Sequence, residues 1–246
     1  MGKSFKKPRS MKDVPTHYCP GCGHGLIHRI ICEVIDEMDM RENTVAIAPV
    51  GCAVLAYDYW DFDTMEAAHG RTPAVATGVK RILPDRLVFT YQGDGDLAAI
   101  GTAEIIHTGN RGENISVVFV NNGVYGMTGG QMAPTTLLGQ RTATSQFTRR
   151  ADKEGFPLKI MEMMALLPGV VYLERTSVHS PKEIIRTKTA IKKAFQTQLE
   201  GKGFSMVEVL SPCPTYWGIS PVEAMERIGK EVIREYPLGV IKDHAA

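Results

Sequence analysis

Five short apolar runs, none of them alternating with polar residues, recur along this chain between stretches of helical periodicity. They lie at residues 45–50, 87–91, 115–120, 170–173 and 206–210. A strand reads as continuously apolar when both its faces are covered, the condition of a parallel sheet flanked by helices. The intervening segments 25–38, 72–83, 96–108, 157–167, 181–199 and 221–234 read as helices. In the first of them Leu26, Ile27, Ile30, Ile31, Val34, Ile35 and Met38 form one broad stripe. Thr72-Pro73 supplies an N-cap and first-turn pair for the second. Strand–helix alternation at this spacing predicts an α/β fold with a doubly wound, mostly parallel sheet. In such sheets ligands bind beyond the carboxyl ends of the strands.

The residues after each predicted strand therefore carry the functional argument: Gly51-Cys52, Gly93-Asp94-Gly95-Asp96, Asn121-Asn122-Gly123 and Pro212-Cys213. Glycines between a strand and a helix N-terminus let backbone N–H groups approach a phosphate. An aspartate in that turn repels a bare phosphate and suits a bridging divalent ion, and magnesium takes hard oxygens shared with substrate phosphates. Asp94 supplies one such oxygen, and Asn122, 28 residues later at the next strand tip, supplies another. The backbone carbonyl of Val124 stands ready as a third. The segment 123–155, rich in Gly, Thr and Gln, reads as a long functional loop.

Five cysteines are present. Cys19-Pro-Gly-Cys22 precedes a helix, Cys52 follows a strand tip, and Cys213 lies between Pro212 and Pro214. Four thiolates of this distribution suit a Cys₄ zinc site or a [4Fe–4S] cluster alike. Cys32, inside the first helix, receives no role. An odd cysteine count argues against a disulfide framework.

Bulk properties narrow the class. With 246 residues, 43% apolar and 22% charged, the chain supports one large domain. Residues 17–246 read as that domain, behind a polar, basic tail at 1–16. The 28 basic and 27 acidic residues nearly cancel, so neither nucleic acid nor an acidic membrane is an expected partner. No apolar run nears the roughly 20 residues of a bilayer span, and the N-terminus carries no secretory core. A cytoplasmic protein is expected.

The set Cys19-Pro-Gly-Cys-Gly-His24, Gly51-Cys52, His69-Gly70-Arg71, Gly93-Asp-Gly-Asp96, Asn121-Asn122 and Tyr125-Gly-Met-Thr-Gly-Gly-Gln131 resembles the thiamine-diphosphate-binding β subunit of 2-oxoacid:ferredoxin oxidoreductases. The resemblance runs from Tyr18 to about Ser145, with Cys213 as a further match. It implies magnesium held by Asp94, the Asn122 side chain and the Val124 carbonyl. It places the cofactor against Gly51, Cys52, His69, Gly93, Asp94, Gly95, Asp96, Asn122, Val124, Tyr125, Gly126, Met127 and Thr128, with His69 as a catalytic group. It also implies a [4Fe–4S] cluster on Cys19, Cys22, Cys52 and Cys213.

The implied reaction is oxidative decarboxylation of a 2-oxo acid to acyl-CoA and carbon dioxide, with electrons passed through the cluster to ferredoxin. The implied partners are an α subunit bearing the pyrimidine-binding domain and a catalytic glutamate, γ/δ or ferredoxin-like subunits, ferredoxin, and coenzyme A. The run Ala53-Val-Leu-Ala-Tyr-Asp-Tyr-Trp60 resembles the branched-chain (3-methyl-2-oxobutanoate) and 2-oxoglutarate branch more than the pyruvate one. Its aromatics are expected either to line a substrate pocket or to pack in the core. Two other readings use the same residues: a non-redox thiamine enzyme with structural Cys₄ zinc, and a non-catalytic electron-transfer subunit.

Overall fold

The computed structural model describes residues 6–145 and 147–244. The five apolar runs become strands β1 (Thr44–Ala48), β3 (Leu87–Gly93), β4 (Ser116–Asn121), β7 (Val170–Ser177) and β8 (Phe204–Leu210). Four more are absent from the sequence reading: β2 (Asp63–Glu66), β5 (Val124–Tyr125) and β6 (Gln131–Met132), which form a short hairpin, and β9 (Gly239–Asp243). The main sheet has the order β2-β1-β3-β4-β8-β7-β9. All its neighbours are parallel except β7 and β9.

In the main sheet the unread strands are its two edges. An edge strand has one neighbour and leaves much of its surface wet, so it needs no apolar run. β2 carries Asp63 and Glu66, exposed charges of the kind that keep a free edge from pairing further. The central strands β1, β4 and β8 are buried at every position.

The helices are α1 (His24–Glu37), α2 (Ala56–Tyr59), α3 (Thr72–Ile82), α4 (Thr102–Asn110), α5 (Ala151–Glu154), α6 (Ile160–Ala165), α7 (Pro181–Leu199), α8 (Pro214–Trp217), α9 (Pro221–Arg227) and α10 (Ile233–Glu235). Two predicted helices are interrupted. The one expected from residue 96 opens as a π-helical turn, Asp96–Ile100, before α4, and a second π turn, Ile228–Val232, joins α9 to α10. That expected at 157–167 shortens to α6.

The strand pleat divides the core between two layers. Phe89, Tyr91, Val118 and Val207 face α1 and α7, meeting Ile27, Ile31 and Phe195. Val88, Val117, Phe119 and Met206 face the other way, onto Ile105, Met161 and Met164. Of the N-terminal stretch, Ser10 is fully buried: its backbone N–H and its hydroxyl both bond the Asp36 carboxylate. Among the described residues no helix is long and apolar enough to cross a membrane.

The chain moves outward from β1 to β2, then returns across β1 to place β3 and β4 on the other side. That reversal opens a crevice at the carboxyl ends of β1 and β3.

Candidate functional site

The crevice is lined by His24, residues 49–53, His69, residues 93–96, Asn122 and residues 124–128. All thirteen positions named for the cofactor lie in this lining, brought together by the ends of β1, β3 and β4. At Gly51, whose φ is +117°, and at Gly93, the space a Cβ would occupy is open.

Asp94 sits at the end of β3 and is 2% exposed. One carboxylate oxygen accepts from Gly123 N (2.7 Å) and Thr135 Oγ1 (2.6 Å), the other from Gly95 N (2.9 Å). Burial pushes its pKa up to about 6, against the opposing pull of these donors. A carboxylate so placed is short of positive charge. Asn122, 8% exposed, accepts from Val124 N through its side-chain Oδ1 at 3.1 Å, and Trp217 Nε1 donates to its backbone carbonyl at 3.0 Å. Gly123, in the left-handed region at φ +69°, makes the turn that sets Asn122 and Val124 beside Asp94.

Asp96 behaves differently from Asp94, although the sequence treats them alike. Its carboxylate, also 2% exposed, accepts from Gly70 N (2.9 Å), Thr72 Oγ1 (3.1 Å) and Gln92 Nε2 (2.7 Å), and pairs with His69 Nδ1 at 2.5 Å. The 67–71 loop reaches it because two glycines meet. A Cβ on Gly70 would fall 2.6 Å from Gly101 N, and one on Gly101 would fall 2.8 Å from Gly70 O.

Three groups receive no role from the motifs. His24, 2% exposed, joins the lining with Nδ1 2.7 Å from the Tyr91 hydroxyl; burial, reinforced by His17, pushes its pKa down to about 4 and keeps the ring neutral. Thr135 grips Asp94 from the long loop. Arg149, 5% exposed, holds that loop by donating to the carbonyls of Ala133, Pro134, Thr136, Gly155 and Phe156. The only cue for the last two was the unusual length of the loop itself.

Cys19, Cys22, Cys52 and Cys213 surround the neighbouring region. Cys19 and Cys22 share one turn, with Cys22 N donating to Cys19 O at 3.0 Å. A Cβ placed on Gly126 would lie 3.0 Å from Cys52 Sγ and 3.8 Å from Cys213 Sγ, so both sulfurs face this glycine. Burial raises the Cys22 thiol, with Cys19 adding to it. Burial lifts Cys52 and Cys213 to about 12, and Cys22 and Asp94 add to both. Among the described residues, no three His, Cys, Asp or Glu side chains gather closely enough to hold a single metal ion. Cys32 is buried, with Sγ 3.3 Å from Ser10 O, away from the other four.

The aromatic run does not line the crevice. Of residues 53–60 only Ala53 reaches it. Trp60 is fully buried and packs on His28, Phe62 and Phe89 at centroid distances of 4.6, 5.3 and 5.6 Å.

The architecture agrees with comparisons to known proteins. Residues 49–209 match the family model of the thiamine pyrophosphate enzyme C-terminal TPP-binding domain. Ketoisovalerate oxidoreductase subunit VorA of Methanothermobacter thermautotrophicus is 47% identical over 99% of this chain and 53% of its own length. The chain thus spans about half the length of this curated relative. 2-Oxoglutarate synthase subunit KorB of Methanocaldococcus jannaschii is 36% identical over 83% of this chain and 72% of its own. A structure of 2-oxoglutarate:ferredoxin oxidoreductase from Magnetococcus marinus, with 2-oxoglutarate, coenzyme A and succinyl-CoA bound, superposes with a TM-score of 0.79 at 27% identity, covering 98% of this chain and 86% of that one. A thiamine-type crevice at the sheet's reversal point, in a chain with these relatives, belongs to the thiamine-diphosphate-binding β subunits of the 2-oxoacid:ferredoxin oxidoreductase family.

Proposed function

We propose that this chain, within a hetero-oligomer, binds thiamine diphosphate and Mg²⁺ in the crevice and a [4Fe–4S] cluster on Cys19, Cys22, Cys52 and Cys213. In this reading the assembly converts a 2-oxo acid and coenzyme A to acyl-CoA and carbon dioxide and passes the electrons to ferredoxin. The observation that carries it is Asp94. A fully buried carboxylate whose pKa is pushed up to about 6, next to the Asn122 amide and beneath two glycines with open space above them, fits a cation-bridged diphosphate. Residues 17–246 are taken as one cofactor-binding domain.

The thiols support the cluster. Cys22, Cys52 and Cys213, whose thiols burial and then neighbouring groups hold up, are costly as bare thiolates and are relieved by an iron–sulfur core. A cluster of this kind belongs in a reducing, cytoplasmic setting.

When bound, thiamine diphosphate supplies the centre that stabilises carbanion character at the 2-oxo carbon, and the cluster accepts electrons singly. The chain's own groups do the rest. Asp94, Asn122 and the Val124 carbonyl hold the metal, and the Gly93–Asp96 turn leaves room for phosphate oxygens. Tyr125, Gly126, Met127 and Thr128 close one wall, with Gly51 and Cys52 opposite. Neutral His24 offers a polar edge without charge. A catalytic glutamate for the pyrimidine ring is assigned to an α subunit, and further γ/δ or ferredoxin-like subunits complete the path to ferredoxin. Among substrates, 3-methyl-2-oxobutanoate and 2-oxoglutarate are favoured over pyruvate, supported by relatives named as ketoisovalerate oxidoreductase and 2-oxoglutarate synthase subunits.

The test is metal and cofactor content of anaerobically purified protein with its co-purifying partners, followed by ferredoxin reduction with each 2-oxo acid. Iron and acid-labile sulfide with coenzyme A-dependent reduction are expected. Zinc without sulfide, with decarboxylation independent of ferredoxin, would replace this reading with the non-redox thiamine enzyme.

A further inference from the structure

The two aspartates of the Gly93–Asp96 turn have separate tasks. Asp94 has three donors and a carboxylate raised by burial, and it faces Asn122. Asp96 is saturated by the chain itself: Gly70 N, Thr72 Oγ1, Gln92 Nε2 and His69 Nδ1 all converge on it. Gln92 is fixed in turn, since Thr90 Oγ1 donates to its Oε1 at 3.0 Å, which points its amide nitrogen at Asp96. A carboxylate ringed by donors has no proton to give, so His69 Nδ1 must be the donor in their 2.5 Å contact. In the neutral ring Nε2 then keeps its lone pair. No described residue bonds Nε2, and the His69 side chain, 29% exposed, lines the crevice.

We infer that Asp96 is a positioning residue and not a ligand of the diphosphate's metal: it locks His69 so that Nε2 is a proton-accepting atom offered to the crevice. This rests on the reading of the crevice as the cofactor site, and it assigns Asp96 a role different from the direct cofactor contact the motif suggests. A carboxylate that orients an imidazole fixes both its tautomer and its basicity, as in metal-bound and triad histidines. The Thr90–Gln92 relay and the Gly70–Gly101 contact serve the same geometry from below and from the side.

The experiment is imidazole ¹⁵N NMR on the full chain labelled at histidine, paired with titration of thiamine diphosphate in the presence of Mg²⁺. Wild-type His69 is expected as the Nδ1–H tautomer. Asp96→Ala should shift it towards Nε2–H, and Asp96→Asn should restore it in part. Asp96→Asn should leave cofactor affinity within about threefold, where Asp94→Asn lowers it by at least about a hundredfold. In the complete assembly Asp96→Ala should reduce kcat by roughly 10–100-fold with little change in KM. An Nε2–H tautomer in the wild type overturns the inference without recourse to any variant. So does loss of Mg²⁺-dependent binding in Asp96→Asn as severe as that in Asp94→Asn. If Asp94→Asn leaves binding intact, it is the cofactor reading of the crevice that fails, while the tautomer still judges the Asp96–His69 pairing.

Discussion

Replacing Asp94 by Asn should stabilise the cofactor-free chain while destroying its response to cofactor. Burial moves the Asp94 pKa from 3.8 to about 6. The folded chain therefore holds this proton more tightly than the unfolded one, and stability falls as pH rises from about 4 to about 6. Above that window the ionised carboxylate costs the fold about 3 kcal/mol. Asn removes the charge but turns an NH₂ towards one of three donors, a loss of about 1 kcal/mol. The net gain at pH 7.5 is about 2 kcal/mol, shrinking to nearly nothing at pH 4.5. Urea unfolding of both proteins in chelator at the two pH values measures it. With thiamine diphosphate and Mg²⁺ at about 100 times Kd, the wild type alone should gain about 2.7 kcal/mol, reversing the order of stability at pH 7.5. A variant less stable than wild type at pH 7.5 without ligands, or a difference indifferent to pH, would refute the argument.

Glu208 and Arg175, each 1% exposed and 2.5 Å apart, form a buried pair between β8 and β7; Glu208→Ala leaves the guanidinium its pairing with Glu162 but removes the acceptor of Arg175 Nε and Asn121 Nδ2, and should cost roughly 1–3 kcal/mol in denaturant unfolding. Gly95→Ala places a Cβ 2.2 Å from the Tyr125 ring, so the ring must swing aside. Because that ring lines the crevice, cofactor affinity should drop about tenfold while the melting temperature hardly moves, which calorimetry and fluorescence titration can separate. Arg149→Lys replaces a planar fork with one ammonium, leaves several buried carbonyls without donors, and should lower stability by about 2 kcal/mol. Limited proteolysis should then cut within residues 133–156 first.

The central sheet was legible because a strand between two neighbours, covered above and below, must be apolar at every position. β2 and β9 were not, since an edge strand meets no such demand and Asp63-Thr-Met-Glu66 looks like any loop. Asn122 and the Gly93–Asp96 turn could be located because strand–helix–strand topology brings consecutive strand tips together. What could not be read was the difference between Asp94 and Asp96. It lies in which donors meet each carboxylate, and those on Asp96 include His69, Gly70 and Thr72 from a loop more than twenty residues away. The aromatics at 57–60 posed a similar problem: their type fits a pocket wall or a core, and only the packing of Trp60 on Phe62 and Phe89 decides for the core.

Arg149 grips the long loop through main-chain carbonyls alone. Such a clamp recognises the path of the backbone and is blind to the side chains it carries. Positions 134 and 156 are therefore free to vary in identity as long as the curve they trace is kept, whereas Gly155, whose φ of +72° favours glycine, and Thr135 and Thr136, whose hydroxyls reach Asp94 and the Gly123 carbonyl, are not. One cation thus separates the loop's shape from its composition, so that the wall near the crevice can be recast for a different substrate without loosening the grip on Asp94.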